Sequence, residues 1–204
     1  MENLSAENSL RLIAETIERS RNAIAKNTGK PLILWGCLVT LTSVVIWALW
    51  TKTGTPMWNL LWFAMTAIGA FGTMLITRNR EKVPESETKR ILGCIWKWFG
   101  IFSIGLYALL WVTALILYAK NTEVVMTIHL TLIIALMMGL CGAISGAVMK
   151  MKSVSAAACV ATALSVLLVL LVPDGSPLQI LSFAILGVIA LIVPGIIFQK
   201  KTAK

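Results

Sequence analysis

Six long apolar stretches constrain this chain more than any other feature of its sequence. Short polar connectors separate most of these stretches, which run at 32–50, 57–77, 91–118, 124–149, 153–172 and 178–198. An α-helix needs about 20 apolar residues to cross the hydrocarbon of a bilayer. Alternating segments of about ten residues, the pattern of membrane β-barrels, are absent from the sequence. The stretches therefore predict an all-α, polytopic membrane protein with six transmembrane helices.

The composition excludes a soluble fold built from the same helices. Hydrophobic residues make up 58% of the 204 residues, whereas charged residues make up only 13%. A soluble domain has about 25% charged residues, because its surface must be solvated by water. The net charge is +9, but the chain has no soluble basic face to which nucleic acid could bind. We therefore expect no nucleic-acid partner, and the predicted partners are the lipid bilayer and a second copy or another membrane protein.

Lysine and arginine lie mostly on one side of the predicted helices. Fifteen of the 18 lie before the first span, after the sixth, or in the second and fourth connectors: Arg11, Arg19, Arg21, Lys26, Lys30, Arg78, Arg80, Lys82, Lys89, Arg90, Lys150, Lys152, Lys200, Lys201 and Lys204. Only Lys52 and Lys120 lie in the opposite connectors. Cytoplasmic loops carry an excess of these residues. Both termini are therefore predicted to be cytoplasmic, with a lead at 1–30, a bundle at 31–199 and a basic tail at 200–204.

Three tryptophans and one lysine indicate where the spans meet the cytoplasmic headgroups. Trp35, Trp96 and Trp98 lie near the predicted inner ends of their spans, where amphipathic indole rings are favoured. Lys97 lies between two of them, and we expect its side chain to extend to the headgroups, which shortens the third crossing to 99–118. A functional buried lysine is the alternative interpretation.

An amphipathic segment over residues 8–27 precedes the first span. Four of its larger apolar residues recur with helical period on one face, at Leu10, Ile13, Ile17 and Ile24. Gly29 and Pro31 follow, and they predict that this helix ends before the first span. The helix is expected either to lie on the inner membrane surface or to dock on a partner or a second copy.

Small residues predict close contacts between the fourth and fifth spans. They form a stripe on each helix: Gly139, Gly142 and Gly146 on span four, and Ser155, Ala158 and Thr162 on span five. Such stripes let helix backbones approach closely in a membrane. Both packing within one subunit and a dimer interface are compatible with this pattern.

Two weaker patterns favour three repeated helical hairpins. A small residue precedes cysteine near the start of each odd span, and a glycine lies six residues before a basic residue in each even span: Gly36, Gly93 and Ala158, then Gly72, Gly146 and Gly195. Composition alone can produce both patterns, and an inverted repeat is a competing arrangement. Pro194 and Gly195 additionally predict a bend near the inner end of span six.

The chemistry of the predicted membrane cores is restricted by the residues that they lack. All nine acidic residues lie outside them: Glu2, Glu7, Glu15, Glu18, Glu81, Glu85, Glu87, Glu123 and Asp174. Cation-coupled transporters usually need an intramembrane carboxylate, so coupled transport is disfavoured. The four cysteines form no metal-ligand or disulfide pattern, and no catalytic motif occurs. We therefore expect no cofactor, no metal and no enzymatic activity.

One polar site is nevertheless a candidate. His129, the single histidine, lies about one and a half turns inside span four, and a histidine changes charge near neutral pH. Asn59 and Glu123 lie near the same outer leaflet and are its candidate neighbours. A neutral, hydrogen-bonded histidine without a functional role is the alternative.

Residues 9–36 (SLRLIAETIERSRNAIAKNTGKPLILWG) resemble the start of an uncharacterised family of small, six-helix bacterial membrane proteins. In that family an amphipathic lead precedes an LWG motif at the entry to the first span, and here the motif is Leu34, Trp35 and Gly36. The resemblance implies a location in the bacterial inner membrane. It supplies no function, ligand or catalytic residue.

Three functional hypotheses follow from these observations. The first is a non-enzymatic helical bundle that acts through protein or lipid partners. The second is a transporter or channel for a small solute that works without an intramembrane carboxylate. The third is a membrane sensor or enzyme that uses His129. A polar cavity between the helices would favour the second, whereas a packed apolar core would favour the first.

Overall fold

Backbone polar groups in hydrocarbon must bond within their own segment, so apolar runs of this length are expected to form helices. The computed structural model describes residues 2–78, 87–120, 130–173 and 175–201, with side chains at all of these except 2–6, 17–27, 118 and 201. The helices are α1 (Glu2–Thr53), α2 (Leu61–Arg78), α3 (Glu87–Ala119), α4 (Leu130–Val148), α5 (Lys152–Leu171), α6 (Leu181–Leu186) and α7 (Val193–Lys201). No strand occurs in the described ranges.

Six helical segments are long and apolar enough to cross a membrane: Thr28–Thr53, Pro56–Arg78, Glu87–Leu117, Leu130–Val148, Lys152–Leu171 and Pro177–Lys200. The prediction of an all-α protein with six membrane-crossing helices is therefore confirmed. The predicted and observed bounds agree to within a few residues, except at the start of span four, where 121–129 lie outside the described residues.

The first helix departs from the expectation at its centre. α1 is continuous for 52 residues and contains Pro31 in its interior. The predicted helix end at Gly29 and Pro31 is therefore wrong. Proline removes one helical hydrogen bond, but this part of α1 packs tightly against α7. A Cβ atom on Gly29 would lie 2.8 Å from the carbonyl oxygen of Gly195, so a tertiary contact holds the helix where local propensity favours an end.

Span six is the central helix of the bundle. Half of the residues in its most apolar segment are buried, whereas none of the residues in the most apolar segment of α3 is buried. α1 packs against α2 and span six, α5 packs against span six and α4, and α3 packs against α4. The main core draws on five of the spans, through Val39, Met65, Ala135, Met138, Ala161, Phe183, Leu186, Ala190 and Leu191. α3 adds only partly buried side chains to this core, so it lies at the periphery.

Span six is irregular in its middle. It begins with a 3₁₀ turn at Pro177–Ile180, and a π-helical segment, Gly187–Ile192, separates α6 from α7. The backbone N–H of Val193 donates to the carbonyl of Val188, five residues earlier. Pro194 has no N–H and cannot bond to the carbonyl of Ala190, as a residue in a regular α-helix would. The sequence predicted a bend at Pro194 and Gly195, and this bend stays a prediction; the structure shows a π-helical segment just before these residues.

The turn between α4 and α5 is tight and strained at one residue. The N–H of Met151 donates to the Gly146 carbonyl at 2.8 Å, and that of Lys150 donates to the Ala147 carbonyl at 2.9 Å. These two bonds form a Schellman motif, which requires a left-handed backbone at its penultimate residue. Lys150 occupies this position with φ 53°. The turn buries the side chains of Met149 and Met151 and leaves that of Lys150 exposed.

Replacing Lys150 with glycine should stabilise the protein by about 1 kcal/mol, because glycine adopts a left-handed backbone without steric cost. Thermal denaturation of the purified protein in detergent measures the change. Lys150→Ala is the matched control, since it removes the same charge and keeps the Cβ atom. Equal midpoints for the glycine and alanine variants would contradict the prediction.

Candidate functional site between five helices

Five of the six spans meet around a small cavity, which lies toward the span ends that the sequence predicts to be cytoplasmic. Its lining residues belong to α1, α3, α4, α5 and span six: Thr28, Leu32, Leu92, Trp96, Gly142, Ser145, Met149, Val154, Ala190, Pro194 and Phe198. Its volume is about 10 Å³, which approaches the smallest space that holds one water molecule. In this conformation the cavity has no room for an organic solute.

One polar contact at this cavity joins α3 to α4. The Ser145 hydroxyl donates to the carbonyl of Cys141 at 2.7 Å, as serine often does within a helix. Its oxygen remains free to accept, and Trp96 Nε1 donates to it at 3.1 Å. Ser145 is 7% exposed. The pair therefore satisfies two polar groups inside the bundle, and Trp96 has a packing role that its sequence position did not reveal.

Trp35 uses the same kind of contact between α1 and α2. Its Nε1 donates to Thr73 Oγ1 at 2.9 Å, while the Thr73 hydroxyl donates to the carbonyl of Gly69. The Trp35 ring lies directly against Gly69, where a Cβ atom would meet ring carbons at 2.7 to 2.9 Å. Lys97 is exposed and Trp98 is 62% exposed, so these two residues keep the headgroup role as a prediction.

Gly69→Ala should destabilise the protein by about 1–3 kcal/mol, because the added methyl group must displace the Trp35 ring and strain its bond to Thr73. The melting midpoint in detergent, followed together with tryptophan fluorescence, measures the effect. Gly105→Ala is the control, since nothing lies within 4 Å of a Cβ atom at Gly105. A Gly69→Ala variant as stable as this control would contradict the packing described for Trp35.

The predicted small-residue stripes of α4 and α5 lie against each other. A Cβ atom on Gly139 would collide with Thr162, one on Gly142 would lie 3.0 Å from Ala158 Cβ, and one on Gly146 would collide with Ser155. The Ser155 hydroxyl also donates to the carbonyl of Ala143 at 2.9 Å. The stripes therefore serve helix packing within one subunit.

The predicted polar site is only partly described. His129 and Glu123 lie outside the described residues, so their association with Asn59 stays a prediction. Asn59 itself supports the start of span two: its Nδ2 donates to the Pro56 carbonyl at 3.0 Å, and its backbone carbonyl accepts from the Tyr107 hydroxyl at 2.7 Å. The described ranges hold no group of three or more His, Cys, Asp or Glu side chains that could bind a metal ion.

Comparisons of the chain with protein-family models, with curated proteins and with solved structures find no match. The candidate site is thus described by its own geometry. The cavity brings side chains of five helices together, and it has room for at most one water molecule.

Proposed function

We propose that this protein is a non-enzymatic membrane bundle that acts through a protein partner bound to the extension of α1. The candidate membrane span within α1 begins at Thr28, and the helix begins at Glu2. The extension, residues 2–27, is about 39 Å long at 1.5 Å per residue. It is the part of the described chain that reaches farthest beyond the membrane-crossing segments.

Exposed apolar side chains on the extension are the observation that carries this proposal. Leu10 and Ile13 are 67% and 56% exposed, and their spacing places them on one helix face. On the other side, Arg11 and Glu15 approach at 3.8 Å and remain in solvent. Exposed apolar surface of this kind is unfavourable in water, so a binding partner that covers it stabilises the extension.

Charge favours a protein over the membrane surface as this partner. Residues 1–30 contain five basic and four acidic side chains. Helices that lie on anionic lipid are rich in Lys and Arg on their polar face, which the extension is not. Its apolar stripe also has the three- and four-residue spacing of helix–helix seams. Because the extension continues the helix of span one, it projects away from the bundle and does not lie along the surface of the bilayer.

The proposal is tested by photo-crosslinking of the full-length protein in native membranes, with benzoylphenylalanine replacing Ser9. We expect a protein adduct of defined mass, at twice the monomer mass if the partner is a second copy. Ile13→Glu should abolish the adduct. Leu12→Glu should leave it intact, because Leu12 is equally apolar and 64% exposed but lies about 160° away from Leu10 around the helix. Crosslinks to lipid alone, or equal sensitivity to both substitutions, would refute the proposal.

We propose that the protein lies in the bacterial inner membrane, as the resemblance of residues 9–36 implies, with both termini in the cytoplasm, as the asymmetry of Lys and Arg indicates. A green fluorescent protein fused after Lys204 should therefore fluoresce, whereas alkaline phosphatase at the same position should be inactive. Fusions made within the connector at Thr53 should give the opposite pattern. Phosphatase activity at Lys204 would reverse the orientation.

A passive transporter or channel for a small solute is the second candidate, because the irregular part of span six lies beside the cavity between the five helices. Ala190 and Pro194 both line that cavity, and interrupted helices form binding sites in many transporters. Solute flux into proteoliposomes that is abolished by Ser145→Leu, but not by Leu164→Ala on the exposed face of α5, would favour this candidate over the first.

A further inference from the structure

Two reciprocal glycine contacts join α1 to span six. Gly29 faces Gly195, and Gly36 faces Gly187. A Cβ atom on any of the four would lie 2.8 or 2.9 Å from the carbonyl oxygen of its partner glycine. At three of these positions a side-chain atom of the facing helix would lie closer still, but the carbonyl oxygens belong to the backbone and cannot rotate aside. These contacts therefore fix the register of the two antiparallel helices at two separate points.

The two helices differ in the number of residues between their contact points. Gly29 and Gly36 are seven residues apart, whereas Gly187 and Gly195 are eight residues apart. In an α-helix, seven residues advance about 10.5 Å and about 700°, close to two full turns. Eight residues advance about 12 Å and about 800°. A regular span six would thus turn Gly195 about 80° away from the direction of Gly187 and lose one contact.

The π-helical segment lies between the two glycines of span six. It occupies Gly187–Ile192 and contains a wider turn, in which one extra residue is accommodated without advancing the flanking helices. We infer that this segment is a one-residue insertion that keeps both glycine contacts in register. It acts as a lock between α1 and span six rather than as a hinge, because conversion to a regular α-helix would break a backbone contact.

This inference assigns Pro194 a secondary role. Proline by itself disturbs a helix through its missing N–H and its ring, and the wider π turn accommodates both. If the glycine register holds the π segment, however, the segment persists without proline. A structure of the full-length Pro194→Ala variant should retain it. A regular α-helix through 187–195 in that variant would overturn the inference, which does not depend on the proposed partner.

Deletion of one residue gives the sharper test. Val188 is 41% exposed. Removing it places Gly187 and Gly195 seven residues apart, which matches the spacing of Gly29 and Gly36 on α1. In the Pro194→Ala background, this deletion should shift the melting midpoint in detergent by no more than about 4 °C. The control deletion removes Val160, a 53% exposed residue near the middle of the regular helix α5. It should abolish the monodisperse protein, because it rotates half of α5 by about 100° relative to the other half.

A second measurement tests whether the Val188 deletion keeps α1 and span six in register or is tolerated although the two helices have separated. Gly36→Ala should lower the melting midpoint equally in the Pro194→Ala protein and in its Val188 deletion, since both retain the contact with Gly187. If Gly36→Ala has no effect after the deletion, the helices have separated and the inference is wrong. It is also wrong if deleting Val188 is as disruptive as deleting Val160.

Discussion

Gly139→Ala should destabilise the protein by about 3 kcal/mol or more, because the new methyl group would overlap the side chain of Thr162. α4 and α5 form an extensive contact, and neither backbone can retreat without opening the adjacent contacts at Gly142 and Gly146. We expect a large fall in the melting midpoint of the purified protein, or loss of monodisperse protein altogether.

Thr162→Gly should restore most of that loss. It removes all three Thr162 atoms that obstruct the methyl group, including Cβ at 2.8 Å, at the cost of about 1 kcal/mol for glycine in a helix. Thr162→Ala should rescue less, because it keeps that Cβ atom. The wild type, Gly139→Ala, Thr162→Gly and the double variant form a double-mutant cycle, in which we expect a coupling free energy of about 2 kcal/mol. Additive effects of the two substitutions would show that α4 and α5 do not pack as described.

Gly36→Ala should cost a similar amount, about 3 kcal/mol, but should resist rescue. Its methyl group would lie 2.6 Å from Ile192 Cγ1 and 2.8 Å from the carbonyl oxygen of Gly187. Ile192→Ala removes the first obstacle and leaves the second, because a backbone oxygen cannot be trimmed by substitution. The Gly36→Ala/Ile192→Ala protein should therefore remain strongly destabilised, in contrast to the α4–α5 pair.

The chain supplies a matched control for this prediction in Gly93. It precedes Cys94 as Gly36 precedes Cys37, yet nothing lies within 4 Å of a Cβ atom at Gly93. Gly93→Ala should be neutral or stabilise the protein by up to about 1 kcal/mol, since alanine favours the helix. Equal losses for Gly36→Ala and Gly93→Ala would contradict the glycine contacts between α1 and span six. The different surroundings of the two glycines give the three-hairpin hypothesis no support, and it stays a prediction.

Some parts of the candidate site could be predicted from the sequence, and others could not. The stripes that include Gly139 and Thr162 were visible because small residues recur at helical spacing, and such a recurrence has few other uses in hydrocarbon. The Trp96–Ser145 hydrogen bond was not visible, because its two residues lie 49 positions apart. A tryptophan near a span end is equally typical of a headgroup anchor. Likewise, neither Gly187 nor Gly195 carries a local signal for its partner on α1.

The sequence by itself determined that the chain forms six membrane-crossing helices. In hydrocarbon every backbone polar group must bond within its own segment, so apolar length alone decides the structure of each segment. Only the tertiary structure decided that α1 passes uninterrupted through Gly29 and Pro31, and that span six contains a π turn. Both outcomes depend on contacts between residues far apart in sequence, where glycine backbones meet and their combined packing outweighs the local preference of one proline or one turn.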